Sequence, residues 1–304
     1  MKFLLLAALV PGLYWDQGTD TAGRLKESGI TRLYVPPGSE AAWRAAGFEA
    51  VPLTPGAPRC EEAEEPRVEL RMDVASATNA PWIDANGWRF ERKAGAKWCY
   101  RTPAGAAALA AAEAYAYGVD AVIQPAAADL GDFARLLAFL RHIDRPPMAA
   151  MANIGVVDDG SDSSGEVLNL LARRNLLFHV LRTPDPRYEV NVAPKGVEDP
   201  HEFAAEVRRK LGDDRRWVRL YGSQVVIARL TGDGRQARLH LLNYSQRRVL
   251  GLRVRVRGPW KLTGLEVFGT EKAAADDVVE RDGGTEFTVA EMGPYAVADL
   301  ERWP

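Results

Sequence analysis

The chain has 304 residues, 47% hydrophobic and 26% charged, with a formal net charge of -2 and a pI near 6.2. That is enough chain for one large or two ordinary domains, and a charge too balanced and too evenly spread for nucleic acid or anionic lipid as partner. Two cysteines, Cys60 and Cys99, and four scattered histidines, His142, His179, His201 and His240, exclude a disulfide framework and a zinc site at any familiar spacing, while a single bridge stays open.

The opening MKFLLLAALV pairs a basic second residue with an apolar run, the shape of a short export signal, and predicts a secreted or periplasmic protein; a buried first strand is the alternative. The run is far too short to span a membrane, so no stable membrane insertion is expected. From residue 11 apolar runs alternate with amphipathic segments: GLYWD (12–16), helical TAGRLKESG, ITRLYVPP (30–37), helical SEAAWRAAG and FEAVPL (48–53). That alternation is the pattern of parallel βα units. PGAPRCEEAEEPR (55–67) reads as a solvated loop, RVELRMDVAS (67–76) as a strand, and residues 79–98 as a long loop. Thr102 and Pro103 open an Ala-rich helix that Gly118 closes; DAVIQPA (120–126) is a strand and LGDFARLLAFLRHI a helix. MAAMANIGVVDD (148–159) and LLFHVL (176–181) are strands around a helix with a capping box of Ser163 and Glu166, and Asp199 with Pro200 opens a helix ending at Gly212.

Near residue 216 the period changes to two. WVRLYG, QVVIARLTG, ARLHLLNYS, LGLRVRVRG, KLTGLEVFG, DDVVERDG, TEFTVAEMG and YAVADLER read as eight strands with Gly-containing turns. The fold class is therefore α/β, a (β/α)-barrel-like region over 1–220, followed by an all-β antiparallel sandwich over 221–304, with the boundary between 216 and 235. Asn243 with Ser245 forms a glycosylation sequon, and Arg253, Arg255 and Arg257 read as a solvated strand face.

Ligand sites of parallel α/β folds lie at the carboxyl ends of the strands, where the loops share one rim. This rule selects Tyr14, Trp15 and Asp16 after the first strand, Asp73, Gln124, and Asp158 with Asp159. NAPWIDANGWRFERKAGAKW (79–98) would follow Asp73 on that rim. Its indoles offer flat apolar faces suited to sugar rings, and its Asp, Asn and Arg side chains suit sugar hydroxyls. Trp15, Trp82 and Trp88 would hold the sugar, Asn86 and Arg89 would orient it, and Tyr14 and Gln124 complete the binding set; tryptophans packed as interior plugs are the competing reading. Acid chemistry on a glycosidic bond needs two carboxyl groups, one protonated and one ionised. Asp16 and Asp84 are the first candidates, Asp73 and Asp158 the next, with Glu91 and Asp159 also in range. No cofactor and no metal are expected. The Gly/Ser-rich DDGSDSSGE (158–166) lacks both a P-loop lysine and a dinucleotide fingerprint.

Together GLYWDQ, APWIDANGWRF, VVDDGS before GEVLNLLARRN, and ARLHLLNYS, GLRVRV and MGPYAVADL resemble bacterial secreted proteins similar to glycoside hydrolases, in which a barrel or barrel-like domain precedes a β-sandwich. The resemblance implies carbohydrate as partner and hydrolysis as reaction, with a noncatalytic glycan-binding or scaffold protein as the alternative. Residues 1 to about 215 fall short of the about 250 typical of a barrel, which leaves open a complete or an incomplete barrel and, over 150–212, a flavodoxin-like segment.

Overall fold

In the computed structural model, which describes residues 10–54, 60–69 and 81–303, the alternating segments become strands and helices in chain order. The strands are β1 (Gly12–Leu13), β2 (Arg32–Val35), β3 (Glu49–Pro52), β4 (Glu61–Ala63), β5 (Arg67–Glu69), β6 (Trp82–Asp84), β7 (Lys97–Arg101), β8 (Asp120–Gln124), β9 (Ile154–Val157), β10 (Phe178–Leu181) and β11 (Val190–Val192). Eight more follow: β12 (Val218–Tyr221), β13 (Val226–Gly232), β14 (Gln236–Asn243), β15 (Val249–Arg257), β16 (Trp260–Val267), β17 (Ala275–Arg281), β18 (Gly284–Met292) and β19 (Tyr295–Arg302). The helices are α1 (Ala22–Glu27), α2 (Glu40–Ala45), α3 (Gly87–Arg92), α4 (Ala107–Tyr117), α5 (Leu130–His142), α6 (Asp162–Arg173) and α7 (Pro200–Leu211). Asp73, most of the strand expected over 67–76, and the signal-like residues 1–9 lie outside the described residues.

The chain divides into two compact units, residues 1–67 with 93–147 and residues 68–92 with 148–304. In the first, β1, β8, β7 and β4 lie side by side in that order, all parallel. A parallel bridge between Tyr14 and Tyr34 joins β1 to the parallel pair β2 and β3. Among the described residues these pairings run from β3 to β4 without closing into a barrel. The flanking helices follow from local chemistry. In α5 Leu130, Phe133, Leu137 and Leu140 recur at helical spacing and are buried, while α4 ends where Gly118 takes a left-handed φ of 64°. The acidic stretch expected as a loop is corrected in part: it supplies β4, and Cys60 just before it is disulfide-bonded to Cys99 of β7.

The second unit contains the pair β5 and β6, helix α3, and a parallel sheet in the order β10, β9, β11. Residues 79–98, expected as a loop, thus hold β6, α3 and the start of β7. Apolar residues of α6 and α7, among them Leu168, Leu171, Val207 and Leu211, share a core with Ile154 and Val156 of β9. Asp199 caps α7 by accepting from the backbone N–H groups of His201 and Glu202, with Pro200 at the first turn. The cap of α6 is Ser161, which accepts from the Ser164 N–H at 3.2 Å; Ser163, expected in a capping box, instead donates to the Val197 carbonyl at 2.8 Å.

The eight strands from β12 form two antiparallel sheets, ordered β12, β15, β18, β17 and β13, β14, β19, β16. Alternate residues of both, such as Leu239 and Leu241 of β14 and Val254 and Val256 of β15, enter one core with Phe287 and Trp260. Two buried asparagines tie the parallel layer to these sheets. The Asn153 amide donates to the Arg215 carbonyl and accepts from the Trp217 N–H; Asn175 does the same with Val226 and Ala228. Each closes both halves of its amide, which is what lets a polar side chain be buried without a desolvation penalty. The solvated face expected for β15 is corrected at Arg255, which is buried and donates to the Asp282 carbonyl at 2.6 Å.

Candidate functional site

The carboxyl ends of the parallel strands of the first unit share one rim, as the topology requires. Tyr14 beyond β1, Leu53 beyond β3, Arg101 at the end of β7, Gln124 at the end of β8 and Glu62 of β4 surround a hollow of about 30 Å³. That volume holds a single water, so any larger ligand lies across the mouth. Parallel register sets Arg101 beside Gln124, and the Gln124 amide donates to the Asp16 carboxylate at 2.7 Å. Asp16 itself is exposed. Tyr14 is buried, and burial together with the nearby Asp16 charge pushes its phenol up, partly opposed by Arg101. One carboxyl group, Glu62, with a guanidinium, an amide and a phenol therefore face one opening, and Asp16 is held beside it by Gln124.

Trp15 does not belong to that opening. Its indole is 2% exposed and its N–H donates to the Thr21 hydroxyl at 2.9 Å. The expectation of an exposed platform is corrected at this residue, because alternate residues of a strand point to opposite faces and Trp15 takes the face opposite to Tyr14.

In the second unit the tryptophan segment is likewise turned inward. Trp82 is 7% exposed, its N–H donates to Asp84 at 2.8 Å, and the Arg173 guanidinium lies 3.9 Å from its ring centroid. Asn86 is fully buried and its carbonyl accepts from the Phe90 N–H at 2.9 Å, opening α3. Trp88 is half-buried with Arg89 and Arg92 at 4.5 and 5.4 Å from its ring, and it leans on Gly165 of α6, where a Cβ would come within 3.2 Å of the indole. Arg89 also donates to the Ala85 carbonyl at 3.2 Å. Asp158 receives two hydrogen bonds of 2.8 Å from Arg92, a bidentate pair. The polar residues around these indoles are thus internal partners: they neutralise, stack or start a helix.

The structure brings together Tyr14, Asp16 and Gln124, and separately Trp82 with Asp84, Trp88 with Arg89, and Asp158 with Arg92. Glu62 and Arg101 carry no expectation from the sequence. Arg101 ends a strand before the Thr102–Pro103 helix opener, so the strand-end rule could have found it; Glu62, inside an acidic run, gives no such signal.

Glu91 is the one sequence candidate whose carboxyl group is strongly perturbed at a junction. It pairs with Arg229 of β13 at 2.6 Å and with His179 Nδ1 of β10 at 3.5 Å, while His179 Nε2 faces the Ala150 carbonyl at 3.1 Å. Burial pushes the Glu91 carboxyl up, but hydrogen bonding by His179 and the charge of Arg229 outweigh it and hold it at about 2. The hydrogen bond to Glu91 raises His179 in turn. Both ring nitrogens face acceptors, so the imidazolium form satisfies the site and no nitrogen is left for proton transfer to a ligand. Asp159 is also held at about 2, by hydrogen bonds from Ser161 and Ser164 at the start of α6. Among the described residues no group of three or more His, Cys, Asp or Glu is placed to hold a metal, and no helix is long and apolar enough to cross a membrane.

No protein-family model and no curated protein matches the sequence. By structure the chain is similar to α-L-fucosidase isoenzyme 2 from Paenibacillus thiaminolyticus, with a TM-score of 0.53 and 8% identity over 94% of this chain and 71% of that one. An α-amylase from H. orenii (TM-score 0.21, 10% identity, 86% and 62% covered) and a GH30 endoxylanase from Clostridium papyrosolvens C71 (0.23, 10%, 97% and 97%) also match, at scores too low to carry an argument. The fold is glycosidase-like. At 8% identity the likeness to the fucosidase is one of fold alone.

Proposed function

We propose that the protein is a glycoside hydrolase that takes carbohydrate across the rim of the first unit and works through Asp16 and Glu62. The observation that supports this reading is the rim itself: Glu62, Arg101, Gln124 and Tyr14 surround a hollow sized for one water at the carboxyl ends of parallel strands, and Asp16 is hydrogen-bonded to Gln124 beside it. One carboxyl group protonates the glycosidic oxygen while the other, ionised, attacks the sugar or activates that water. Gln124 orients Asp16, and Arg101 supplies positive charge opposite it. The Cys60–Cys99 disulfide fits an oxidising compartment and supports an exported protein.

A second reading, a noncatalytic glycan-binding protein, is favoured by one observation. Asp84 and Asp158, candidates for the acid pair, are bound to Trp82 and Arg92, and the Trp15 and Trp82 indoles are interior. A screen of aryl glycosides and oligosaccharides with wild type, Asp16→Asn and Glu62→Gln separates the two. Hydrolysis lost by roughly 10²-fold or more in each variant supports catalysis at the rim. Saturable binding without turnover supports the second reading, and activity equal in all three proteins removes the assignment.

A further inference from the structure

The arginines of β15 form a ladder with the neighbouring edge strand β12. Because Val218, Val254 and Val256 enter the sandwich core, the residues between them turn outward, and antiparallel register sets Arg219 opposite Arg255 and Tyr221 opposite Arg253. Trp217, whose carbonyl accepts from the Arg257 N–H at 2.9 Å, continues the same outward row. Two aromatic rings thus share one sheet face with four guanidinium groups. Tyr221 is 44% exposed, with the Arg219 guanidinium 5.9 Å from its ring centroid, and the Arg257 guanidinium lies 5.5 Å from that of Trp217.

Like charges directly opposite on neighbouring strands are destabilising, so each arginine of the ladder needs a neutralising group. For three of them the protein supplies it. Arg253 donates to Glu286 and to the Asp277 carbonyl, both at 3.0 Å, and Arg257 pairs with Glu189 at 2.5 Å. Arg255 faces Glu286 at 3.5 Å, and its guanidinium fills the space above Gly284, where a Cβ would come within 2.6 Å of it. Buried there, Arg255 contributes charge more than free donors. Arg219 differs from all three. Among the described residues it has no ion pair and no side-chain hydrogen bond, and its Nε is buried without an acceptor. One carboxylate, Glu286, therefore serves two arginines while Arg219, opposite one of them, has none.

We propose that this face of the sandwich binds an acidic glycan, a chain of sugars bearing carboxylates, with a carboxylate on Arg219 and sugar faces against Tyr221 and Trp217. A planar guanidinium offers two parallel donors to a carboxylate, and the aromatic ring beside it takes the apolar face of the sugar that carries the acid. Positions 217 and 221 stand roughly 13 Å apart along an extended strand, which suits a chain better than a single sugar. The uncompensated charge by itself calls for an anion; the choice of a glycan among anions rests on the carbohydrate reading of the rim.

The test is a binding titration of the full chain with polygalacturonate fragments, with neutral dextran and poly-L-glutamate as comparisons, on wild type, Arg219→Gln and Tyr221→Ala. Circular dichroism melts confirm that each variant is folded. The expected result is saturable binding of polygalacturonate but not of dextran, weakened by added salt, by Arg219→Gln about tenfold, and by Tyr221→Ala severalfold. Absence of saturable binding, or an affinity that either variant leaves unchanged, overturns the proposal. Poly-L-glutamate bound as tightly overturns the assignment to a glycan. Asp16→Asn is expected to bind as wild type does, and an affinity that falls in that variant places the glycan at the rim and overturns the proposal. Hydrolysis in the aryl glycoside screen is expected to be unchanged in Arg219→Gln, so failure here and failure of the rim reading show in different variants.

Discussion

Trp82 and Trp88 each present a face to a guanidinium, and that explains why a polar stretch is so rich in tryptophan. A cation over an indole in a partly desolvated site is worth about 1 to 2 kcal/mol, so Arg173 on Trp82 and Arg92 on Trp88 are stabilising contacts in their own right. The same residue types would suit a sugar site, and composition alone does not distinguish the two; burial decides, and burial depends on chain far away, such as Gly165 and Arg173. By contrast Tyr14, Asp16 and Gln124 were legible, because a residue at the carboxyl end of a parallel strand is placed by the backbone. Asn243 gives the same lesson as the tryptophans: the sequon is intact, but the side chain is 1% exposed and donates to the Arg247 and Gly293 carbonyls. Asp158 provides the test at this scale. Its side chain is 7% exposed and neutralises Arg92, itself mostly buried between Asp158 and Trp88. Removing one member of such a pair strands the other charge, so Asp158→Ala is expected to lower stability by about 3 kcal/mol in urea unfolding. A loss below about 0.5 kcal/mol would show that the pair behaves as a surface contact.

Elements of ten residues or more announce their period, and α4, α5, α6 and α7 were all legible, as were the eight antiparallel strands with their alternation of two. The elements without a counterpart in the sequence reading are β4, β6, α3, β7 and β11, each three to six residues long. Too few residues are present there for a period to register, and their formation depends on pairing with distant strands or on packing. Helix α3 shows how such a short element is held, because Glu91 near its end binds both β10 and β13 through His179 and Arg229. The pH dependence of that junction has two limits of opposite sign. The Glu91 carboxyl sits at about 2, below its ordinary 4.5, so its contribution is complete above pH 4.5 and is lost as pH falls towards 2. The His179 imidazole is raised above its ordinary 6.5, so its contribution is complete below pH 6.5 and is lost as pH rises through the folded value. Stability measured against pH should therefore carry a contribution from this junction that is greatest between about 4.5 and 6.5, and its decline above pH 6.5 should be missing from His179→Ala. Parallel profiles for wild type and His179→Ala above pH 6.5 would show that the imidazolium contributes nothing.

At the scale of the molecule, the parallel sheet of the first unit depends on a covalent closure. Strand β4 has three residues, all its pairings are with β7, and it stands at the end of the strand order, so hydrogen bonding alone holds it weakly. The Cys60–Cys99 bridge joins residues 39 apart and fixes the approach to β4 against the middle of β7, where Cys99 is itself the register partner of Glu62. Closing a loop of that length removes chain entropy from the unfolded state worth about 4 kcal/mol. The bridge also packs with Tyr14 and Val122 at the base of the rim, so the same bond that stabilises the unit sets one wall of the hollow. Two consequences can be measured on one variant. Cys60→Ser with Cys99→Ser should unfold about 4 kcal/mol more easily in urea, and amide exchange should quicken in β4 before it does in β7 or β8, which retain neighbours on both sides. Exchange that quickens equally across β4, β7 and β8 would mean that the sheet opens as one body and that the bridge acts only through the unfolded chain. Selective loosening of β4 would instead make the position of Glu62, and with it any chemistry at the rim, dependent on the oxidised state of the two cysteines.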